Sequence, residues 1–391
     1  MREQPSNDAG ITKRDFLKLG ACALCAAGVA PLGPGAHAQT TPGAGPQMGA
    51  QPGLIRSRRS PWFESLEGGG IRCRLCPRRC EIAEGMRGPC RVRGNWGGEG
   101  YTLVYGNPAL VQTDPVERKP FFHVLPGTRA LSLSTAGCNL ACMFCEVWDM
   151  ALVAPDDVHA YDISPEEALR QAQQSGIRSL SYAFGEPIVF YEYVDATADL
   201  AKEAGLLNLV HTAAYIEPEP LRRWAGKIDA FNVDLKSFDA EFYRDVCDGE
   251  LEPVLDALRL LKEEGVHIEI TNIVIPSMND DMDMIGEMCE WISEELGPGT
   301  PIHFARFYPL YRLANLPPTP VSTLEKARET AMAAGLDYVY LSRVTGHDAE
   351  NTFCPGCEEK VIERRGFVIT GNHLNDGACS HCGESIPGKW A

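Results

Sequence analysis

The chain has 391 residues, enough for one large α/β domain with small attachments. Its 36 basic and 53 acidic side chains give a net charge of −17, which argues against a nucleic-acid-binding protein, because phosphate contacts need a basic surface. Most of the fifteen cysteines fall into three tight groups. In a chain of this size, cysteine pairs two residues apart indicate metal or cluster ligation before a disulfide framework.

Residues 1–38 have the pattern of an export signal. The segment Thr12–Lys18 is similar to the twin-arginine consensus, with Lys13 in place of the first arginine, and residues 36–38 offer a small-x-small cleavage site. We expect export to the periplasm by the Tat pathway, with an unprocessed tail on a cytoplasmic protein as the alternative. The weakly apolar run at 19–32 is too short to span a membrane, so the mature chain is expected to have no transmembrane span. Residues 39–60, rich in Gly, Pro and Gln, predict a flexible linker.

The first cysteine group lies in a predicted N-terminal Cys-rich region, residues 61–128. Four cysteines with the spacing C-x2-C-x3-C-x9-C form a turn-rich knuckle: Cys73, Cys76, Cys80 and Cys90. A segment with so little room for a hydrophobic core needs a metal or a cluster to stay folded. Four thiolates permit either a second iron–sulfur cluster or zinc, and the sequence does not choose between them.

The second group follows a strand-like run at 129–135 and has the spacing C-x3-C-x2-C: Cys138, Cys142 and Cys145, with Phe144 before the last. Three thiolates can hold three corners of a [4Fe-4S] cube and leave the fourth iron without a protein ligand. The alternatives are a zinc site, which usually takes a fourth ligand, or three buried cysteines. Three cysteines in eight residues rarely arise from core packing, so the pattern predicts a cluster.

This spacing resembles the signature of the radical SAM superfamily. The resemblance implies that the open iron binds S-adenosylmethionine (SAM) and passes an electron into its sulfonium. The expected product is a 5′-deoxyadenosyl radical that abstracts hydrogen from a substrate. The resemblance also implies an α/β fold built as a partial (β/α)6 TIM-like barrel.

The hydrophobic pattern agrees with that fold over a predicted core domain, residues 129–345. Six strand-like runs alternate with helical periodicity, and the strands are expected at 130–135, 179–183, 207–212, 230–235, 267–275 and 302–307. Six βα units in sequence build a parallel sheet. In such barrels, functional residues gather at the carboxyl ends of the strands, where the cysteine loop also lies.

Two of these strand ends resemble SAM-binding segments. Phe184-Gly185-Glu186-Pro187 is similar to the superfamily's GGEP segment, with Phe184 replacing the first glycine, which implies that Gly185 and Glu186 hold the SAM ammonium. A plain strand-to-helix turn is the alternative. Asp234-Leu235-Lys236 is similar to the D-x-K of relatives of pyruvate formate-lyase-activating enzyme. Strand residues two apart point to the same side, so Asp234 and Lys236 can meet one ligand; a solvent-exposed salt bridge is the alternative.

The last two strands add three polar candidates. Asn272 lies in an otherwise apolar run, which fits a contact with the ribose or methionine of SAM. His303 and Arg306 are assigned to the substrate side because they lie near the end of strand six.

The third cysteine group lies in a predicted C-terminal module, residues 346–391. Two C-x2-C pairs are separated by 21 residues: Cys354 and Cys357, then Cys379 and Cys382. This spacing predicts a zinc-ribbon or rubredoxin-like site with tetrahedral zinc or iron. Two structural disulfides in an oxidising periplasm are the alternative.

The whole order of motifs, from Arg72 to Trp390, resembles the AmmeMemoRadiSam-system radical SAM enzymes, relatives of pyruvate formate-lyase activase. Besides the cysteines, the resemblance includes Lys119-Pro120-Phe121-Phe122-His123 and Gly346-His347. It implies an oxidoreductase of activase type, a flavodoxin- or ferredoxin-like electron donor, AMMECR1-type and Memo-type partner proteins, and a polypeptide as candidate substrate. A glycyl-radical-enzyme activase and a non-enzymatic iron–sulfur electron-transfer protein are the alternatives.

Overall fold

The computed structural model describes residues 49–391; the predicted export signal and the first part of the predicted linker lie outside the described residues. Residues 51–59 are not a free tether. Gln51 pairs with Ala160, Arg58 pairs with Thr102, and Arg56 forms an ion pair with Asp162. The prediction of a flexible linker is therefore wrong for this part, because strand pairing and the ion pair hold it against the body of the protein.

The N-terminal region consists of short strands: β1 (Gln51–Pro52), β2 (Arg58–Arg59), β3 (Phe63–Ser65), β4 (Ile71–Cys73), β5 (Glu81–Ile82), β6 (Arg93–Trp96) and β7 (Glu99–Thr102). Six of them form two three-stranded antiparallel sheets, ordered β3-β4-β5 and β2-β7-β6. The sheets pack closely at Gly100, where a Cβ atom would lie 2.1 Å from the ring of Phe63.

The centre of the molecule is an eight-stranded sheet made of β8 (Leu110–Pro115), β9 (Arg129–Ser134), β11 (Ser179–Tyr182), β12 (Leu207–Thr212), β13 (Ala230–Asp234), β14 (His267–Val274), β15 (Ile302–Arg306) and β16 (Val339–Ser342). The spatial order is β16-β15-β14-β13-β12-β11-β9-β8. All neighbours are parallel except β8, which is antiparallel to β9. A separate short strand, β10 (His159–Ala160), pairs with β1.

The helices are α1 (Trp148–Ala151), α2 (Pro165–Gln174), α3 (Tyr191–Glu203), α4 (Pro218–Ala225), α5 (Ala240–Phe242), α6 (Glu252–Glu263), α7 (Met282–Trp291) and α8 (Val321–Ala333). Their starts follow ordinary capping rules: the side chain of Ser164 accepts a hydrogen bond from Glu167 N, and that of Asp281 accepts from Met284 N. Two helices continue as π-helical turns, Tyr243–Cys247 and Ile292–Leu296. Within residues 49–391, no helix combines the length and apolarity needed to cross a bilayer.

The mostly parallel α/β fold and the six predicted strands are confirmed. A seventh parallel strand, β16, was not predicted. It is only four residues long and buried, and it follows the last helix without a further helix of its own, so its pattern carries little signal.

The C-terminal residues form strands β17 (Thr352–Phe353), β18 (Lys360–Arg365), β19 (Val368–Asn372), β20 (Leu374–Asn375) and β21 (Ala378–Cys379). They are tied to the loop before β9. The buried guanidinium of Arg364 donates to Phe122 O at 2.7 Å, and Lys389 N donates to His123 O at 2.8 Å. A buried carboxylate continues this connection, because Glu269 on β14 accepts from the backbone N–H groups of Phe122 and His123.

Candidate functional site

The central cysteines lie on the loop that follows β9, the first parallel strand. The loop is held by backbone hydrogen bonds to the π-helical turn: Ala141 N donates to Cys247 O and Met143 N donates to Val246 O, both at 2.9 Å. Leu140 and Phe144 are buried and anchor the loop, while the three cysteines stay partly exposed. The loop therefore presents its thiols outward from a fixed backbone.

The thiols face a cavity of about 590 Å³, a size typical of small-molecule sites. Its walls combine the cysteine loop with the carboxyl ends of the strands, as the barrel rule requires. The predicted residues that line it are Cys138, Cys142, Phe144, Cys145, Gly185, Glu186, Asp234 and Lys236.

Gly185 and Glu186 form one wall. Gly185 N donates to Ser134 Oγ at 2.9 Å, and a Cβ at this position would lie 2.5 Å from the same oxygen, so only glycine fits. Glu186 accepts from Thr212 Oγ1 at 2.5 Å and from Ala213 N at 2.9 Å. Burial raises the pKa of Glu186, and these hydrogen bonds oppose the shift. Its carboxylate is thus fixed in place beside the cavity.

Asp234 and Lys236 line the same cavity and form an ion pair, with 2.6 Å between Lys236 Nζ and Asp234 Oδ2. His211 Nε2 lies 2.8 Å from Asp234 Oδ1. Although burial opposes it, the charge of Lys236 together with His211 holds the pKa of Asp234 well below its usual range. The carboxylate is therefore kept ionised, with Phe144 below it: Lys236 Nζ lies 5.8 Å from the centre of that ring.

Cys247 is buried next to a predicted cluster ligand, Cys142. A hydrogen bond from the Cys247 thiol, working against burial, holds the pKa of Cys142 below its usual range. Periodicity could not reveal this contact, because the π-helical turn places residue 247 where a regular α-helix would not.

Three predicted residues do not line the cavity. Asn272 is buried and donates to Leu235 O at 2.8 Å, while its neighbours Thr271 and Ile273 face the cavity. Side chains alternate along β14, so Asn272 points away from the cavity that its two neighbours line.

His303 and Arg306 are likewise corrected. His303 is fully buried below the cavity and bonds Glu269 Oε2 at 2.7 Å, so it is part of the structural network under Phe122. Arg306 is turned toward a loop and donates to Thr319 O at 2.8 Å. On β15 it is Ala305 that lines the cavity.

The structure adds basic residues that the sequence analysis did not assign. Arg118 and Lys119, just after β8, line the cavity and lie over the ring of Phe184, whose φ is 74°. Burial lowers the pKa of Lys119 to about 8, although Asp114 pairs with it at 3.2 Å. Lys119 belongs to the Lys119–His123 motif, which was the available signal for this residue, and Arg118 directly precedes the motif.

The C-terminal cysteines meet as a group. Cys354 Sγ lies 3.5 Å from Cys382 Sγ, Cys357 Sγ lies 3.7 Å from Cys379 Sγ, and all four sulfurs are within 4.8 Å of one another. Tetrahedral zinc with bonds of about 2.3 Å requires sulfurs roughly 3.8 Å apart. Although burial opposes it, backbone hydrogen bonds from Cys382 and His381 lower the pKa of Cys379 to about 6. The four-cysteine group therefore fits one metal ion, and the disulfide alternative is not formed, since all cysteines among residues 49–391 are free.

The central residues fit the two groups that the resemblance implies. Among the described residues, the three central cysteines do not form a single-ion site, whereas three thiols lining one cavity are the ligand set of a [4Fe-4S] cluster with one open iron. The wall at Gly185 is a cradle that any Cβ would fill, as expected where a ligand approaches the backbone closely. Glu186 and Asp234 supply anionic acceptors for an ammonium on the same cavity.

The chain is similar to known proteins in sequence and in fold. Residues 132–292 match the family model of the Radical SAM superfamily. Uncharacterized protein MJ0808 of Methanocaldococcus jannaschii is 41% identical over 331 residues, which cover 84% of this chain and 98% of that protein. The benzylsuccinate synthase activating enzyme of Thauera aromatica is 26% identical, over 37% of this chain and 46% of its own length. A solved radical SAM methyltransferase from Sphaerobacter thermophilus shares 15% identity, with a TM-score of 0.46 and coverage of 76% and 81% of the two chains.

Proposed function

We propose that this chain cleaves SAM reductively and uses the 5′-deoxyadenosyl radical to take a hydrogen atom from a substrate. The chain belongs to the radical SAM superfamily, whose members are enzymes. One observation carries the proposal: the three-cysteine loop, the Gly185–Glu186 wall and the Asp234–Lys236 pair all line a single cavity. A bound [4Fe-4S] cluster supplies the low-potential electron for this chemistry.

The chain's own residues have separate tasks in this proposal. Cys138, Cys142 and Cys145 hold the cluster, and the loop's bonds to residues 246 and 247 fix their spacing. Glu186 and Asp234 are held as hydrogen-bond acceptors on two walls, so they orient the ammonium and hydroxyl groups of SAM. Lys236 keeps Asp234 ionised, and Phe144 closes the cavity behind it.

A polypeptide substrate is favoured by the cavity rim. Phe367 lines the cavity and is 46% exposed, and Trp148 lies next to the cavity wall and is 42% exposed. Tyr308 is 41% exposed and Leu310 is 42% exposed. Tyr308 reaches the rim through a hydrogen bond to the carbonyl of Arg343, which lines the cavity. Large apolar side chains left in solvent around one opening are typical of a surface that binds another protein.

A glycyl-radical-enzyme activase is the second candidate. It uses the same chemistry on a backbone glycine of a protein partner, and the similarity to the benzylsuccinate synthase activating enzyme favours it. The non-enzymatic electron-transfer alternative does not explain why Gly185, Glu186, Asp234 and Lys236 share the cavity with the cysteines.

We also propose the narrower assignment to the AmmeMemoRadiSam system, on the motifs that extend from Arg72 to Trp390. It entails AMMECR1-type and Memo-type partner proteins and an electron donor of the flavodoxin or ferredoxin class. Export by the Tat pathway remains a proposal on residues 1–38. A fusion of residues 1–45 to a reporter that requires Tat transport tests it, and cytoplasmic retention of the fusion contradicts it.

The function is tested by anaerobic reconstitution with iron and sulfide, followed by dithionite and SAM. We expect 5′-deoxyadenosine from the wild type and a loss of at least about 100-fold in Cys142→Ala, because the cluster loses one of three ligands. Cys289→Ala is the matched control, because it also replaces one cysteine with alanine. Cys289 is buried in α7, away from the cavity. A fully loaded wild type that forms no 5′-deoxyadenosine contradicts the proposal.

A further inference from the structure

The first cysteine group encloses a second cavity, separate from the one described above. All four of its cysteines line this space, although they come from different turns of the N-terminal region: Cys73, Cys76, Cys80 and Cys90. Apolar Leu75 and Ile82 complete the near side. Four thiols that line one cavity can bind the same metal or cluster, whereas cysteines buried only for packing would not be expected to converge.

The spacing of these sulfurs distinguishes two kinds of ligand. In residues 49–391, the C-terminal group is the one set of three or more Cys, His, Asp or Glu ligand atoms that lie within 4.8 Å of one another. Its sulfurs have the roughly 3.8 Å spacing of a single tetrahedral ion. The first group surrounds a cavity but fails this criterion, as does the central group. Like the cysteines assigned to a cluster, it is therefore not arranged as a single-ion site.

One buried polar side chain also lines this cavity with a donor left unsatisfied. Arg93 is 2% exposed, and its two Nη atoms each bond Glu192 at 2.9 Å, but its Nε has no partner within the described residues. A buried N–H without a partner is costly, and inorganic sulfides or thiolates in the cavity would accept from Arg93 Nε.

We propose that Cys73, Cys76, Cys80 and Cys90 hold a second iron–sulfur cluster of the four-thiolate type, whereas the C-terminal cysteines hold a single metal ion. Zinc at the first group is the competing occupant. Zinc would require the four sulfurs to converge to one centre, which their present arrangement around the cavity does not do.

The second site lies directly against the catalytic loop. Asn139, next to the cluster ligand Cys138, is part of its wall, as are Ile188 and Val189, which follow Glu186. The carbonyl of Cys90 approaches Gly137 so closely that a Cβ there would lie 2.6 Å from it. The backbone just before the central cysteines thus also forms part of the wall around the first group. A cluster bound there would support the backbone that holds the catalytic cluster.

The test uses a variant in which Cys138, Cys142 and Cys145 are all changed to Ala, so that the first group alone is left to bind a cluster. After anaerobic reconstitution and desalting, we expect about four iron and four acid-labile sulfide per chain, with the absorption and Mössbauer signature of a [4Fe-4S] centre. Adding Cys76→Ser and Cys90→Ser should remove both iron and sulfide. Adding Cys289→Ser instead should leave them unchanged.

Sulfide is the decisive readout, because a single metal at the C-terminal site binds none. One zinc at the first group without sulfide, or alkylation of Cys73, Cys76, Cys80 and Cys90 by iodoacetamide in the reconstituted variant, would overturn the proposal. If the five-site variant does not fold, the wild type decides: about eight iron and eight sulfide support two clusters, and about four of each contradict them. Formation of 5′-deoxyadenosine by the wild type is measured separately, so failure of the proposed function is distinguishable from failure of this site.

Discussion

At the scale of single residues, the candidate site depends on backbone positions as much as on side chains. Gly185 has no room for a Cβ, and Phe184 before it adopts a left-handed conformation that bulky residues rarely take. In return, the Phe184 ring is placed under the cations of Arg118 and Lys119. Replacing the first glycine of the GGEP pattern with Phe184 therefore adds an aromatic ring to the cavity wall. The second glycine, Gly185, still allows a ligand to approach the backbone closely.

Gly185→Ala tests that close approach. A Cβ 2.5 Å from Ser134 Oγ must displace the wall, at a cost of about 1–3 kcal/mol, so we expect SAM to bind roughly tenfold more weakly. Equilibrium binding of SAM to the reconstituted protein measures the effect. Gly226→Ala is the control, because the nearest atom to its added Cβ is 3.7 Å away; an equal loss in both variants would show that the Gly185 wall is not special.

His123 makes a pH prediction. Burial lowers its pKa to about 3, outweighing the attraction of Glu269, while His267 and Arg364 add to the shift. An unfolded histidine has a pKa of about 6.5, so the unfolded chain takes up one more proton as the pH falls below that value. The free energy of unfolding should therefore decrease by up to about 1.4 kcal/mol per pH unit from this group between pH 6.5 and pH 3.

Chemical unfolding of His123→Gln at pH 7.5 and pH 5 measures this contribution. The variant should lose about 2 kcal/mol less than the wild type on acidification, because it has no proton to bind at this position. His381→Gln, which changes an exposed histidine, should keep the wild-type pH dependence. A wild-type slope retained in His123→Gln would contradict the assignment of His123 as buried and neutral.

At the scale of elements, the strands of the sheet were predictable and the directions of some side chains were not. The six predicted strands carry mostly buried runs, and residues in the loops after β9, β11 and β13 do reach the cavity. Asn272 and Arg306 lie inside strands, where a shift of one residue turns a side chain to the other face. His303 points inward but lies too deep, beneath Phe122, and sequence periodicity contains no measure of depth.

The π-helical turn at 243–247 is the element that sequence analysis could not anticipate, and it contacts the cluster loop directly. Cys247→Ala removes the hydrogen bond to Cys142, and hydrogen bonds to ligand sulfurs influence cluster potential. Loss of a bond of about 1 kcal/mol should lower the reduction potential by roughly 40 mV.

An EPR-monitored redox titration of the reconstituted Cys247→Ala variant checks this prediction, since its readout is independent of turnover. Cys289→Ala should leave the potential unchanged, because that thiol lies within α7 and is absent from the cavity wall. An unchanged potential in Cys247→Ala would mean that the contact does not reach the cluster.

At the scale of the whole molecule, the C-terminal module contributes to the cavity through Gly366 and Phe367, and Arg364 connects the module to Phe122. Cys382→Ser should reduce metal content by about one ion per chain and destabilise the protein by at least about 2 kcal/mol. Mass-spectrometric metal analysis and limited proteolysis near residues 366–368 measure these effects. Ser380→Ala, at a neighbouring exposed position, is the control and should behave as the wild type.

The eight-stranded sheet begins at β8 and ends at β16, and in residues 49–391 these two edges are not hydrogen-bonded to each other. Arg118, three residues after β8, and Arg343, directly after β16, face the same cavity. Side chains and not strand pairing connect the two edges, since His123 Nε2 lies 2.6 Å from the hydroxyl of Tyr340 on β16. The cavity wall between the edges is therefore made of loops, and its shape can change without a strand being broken.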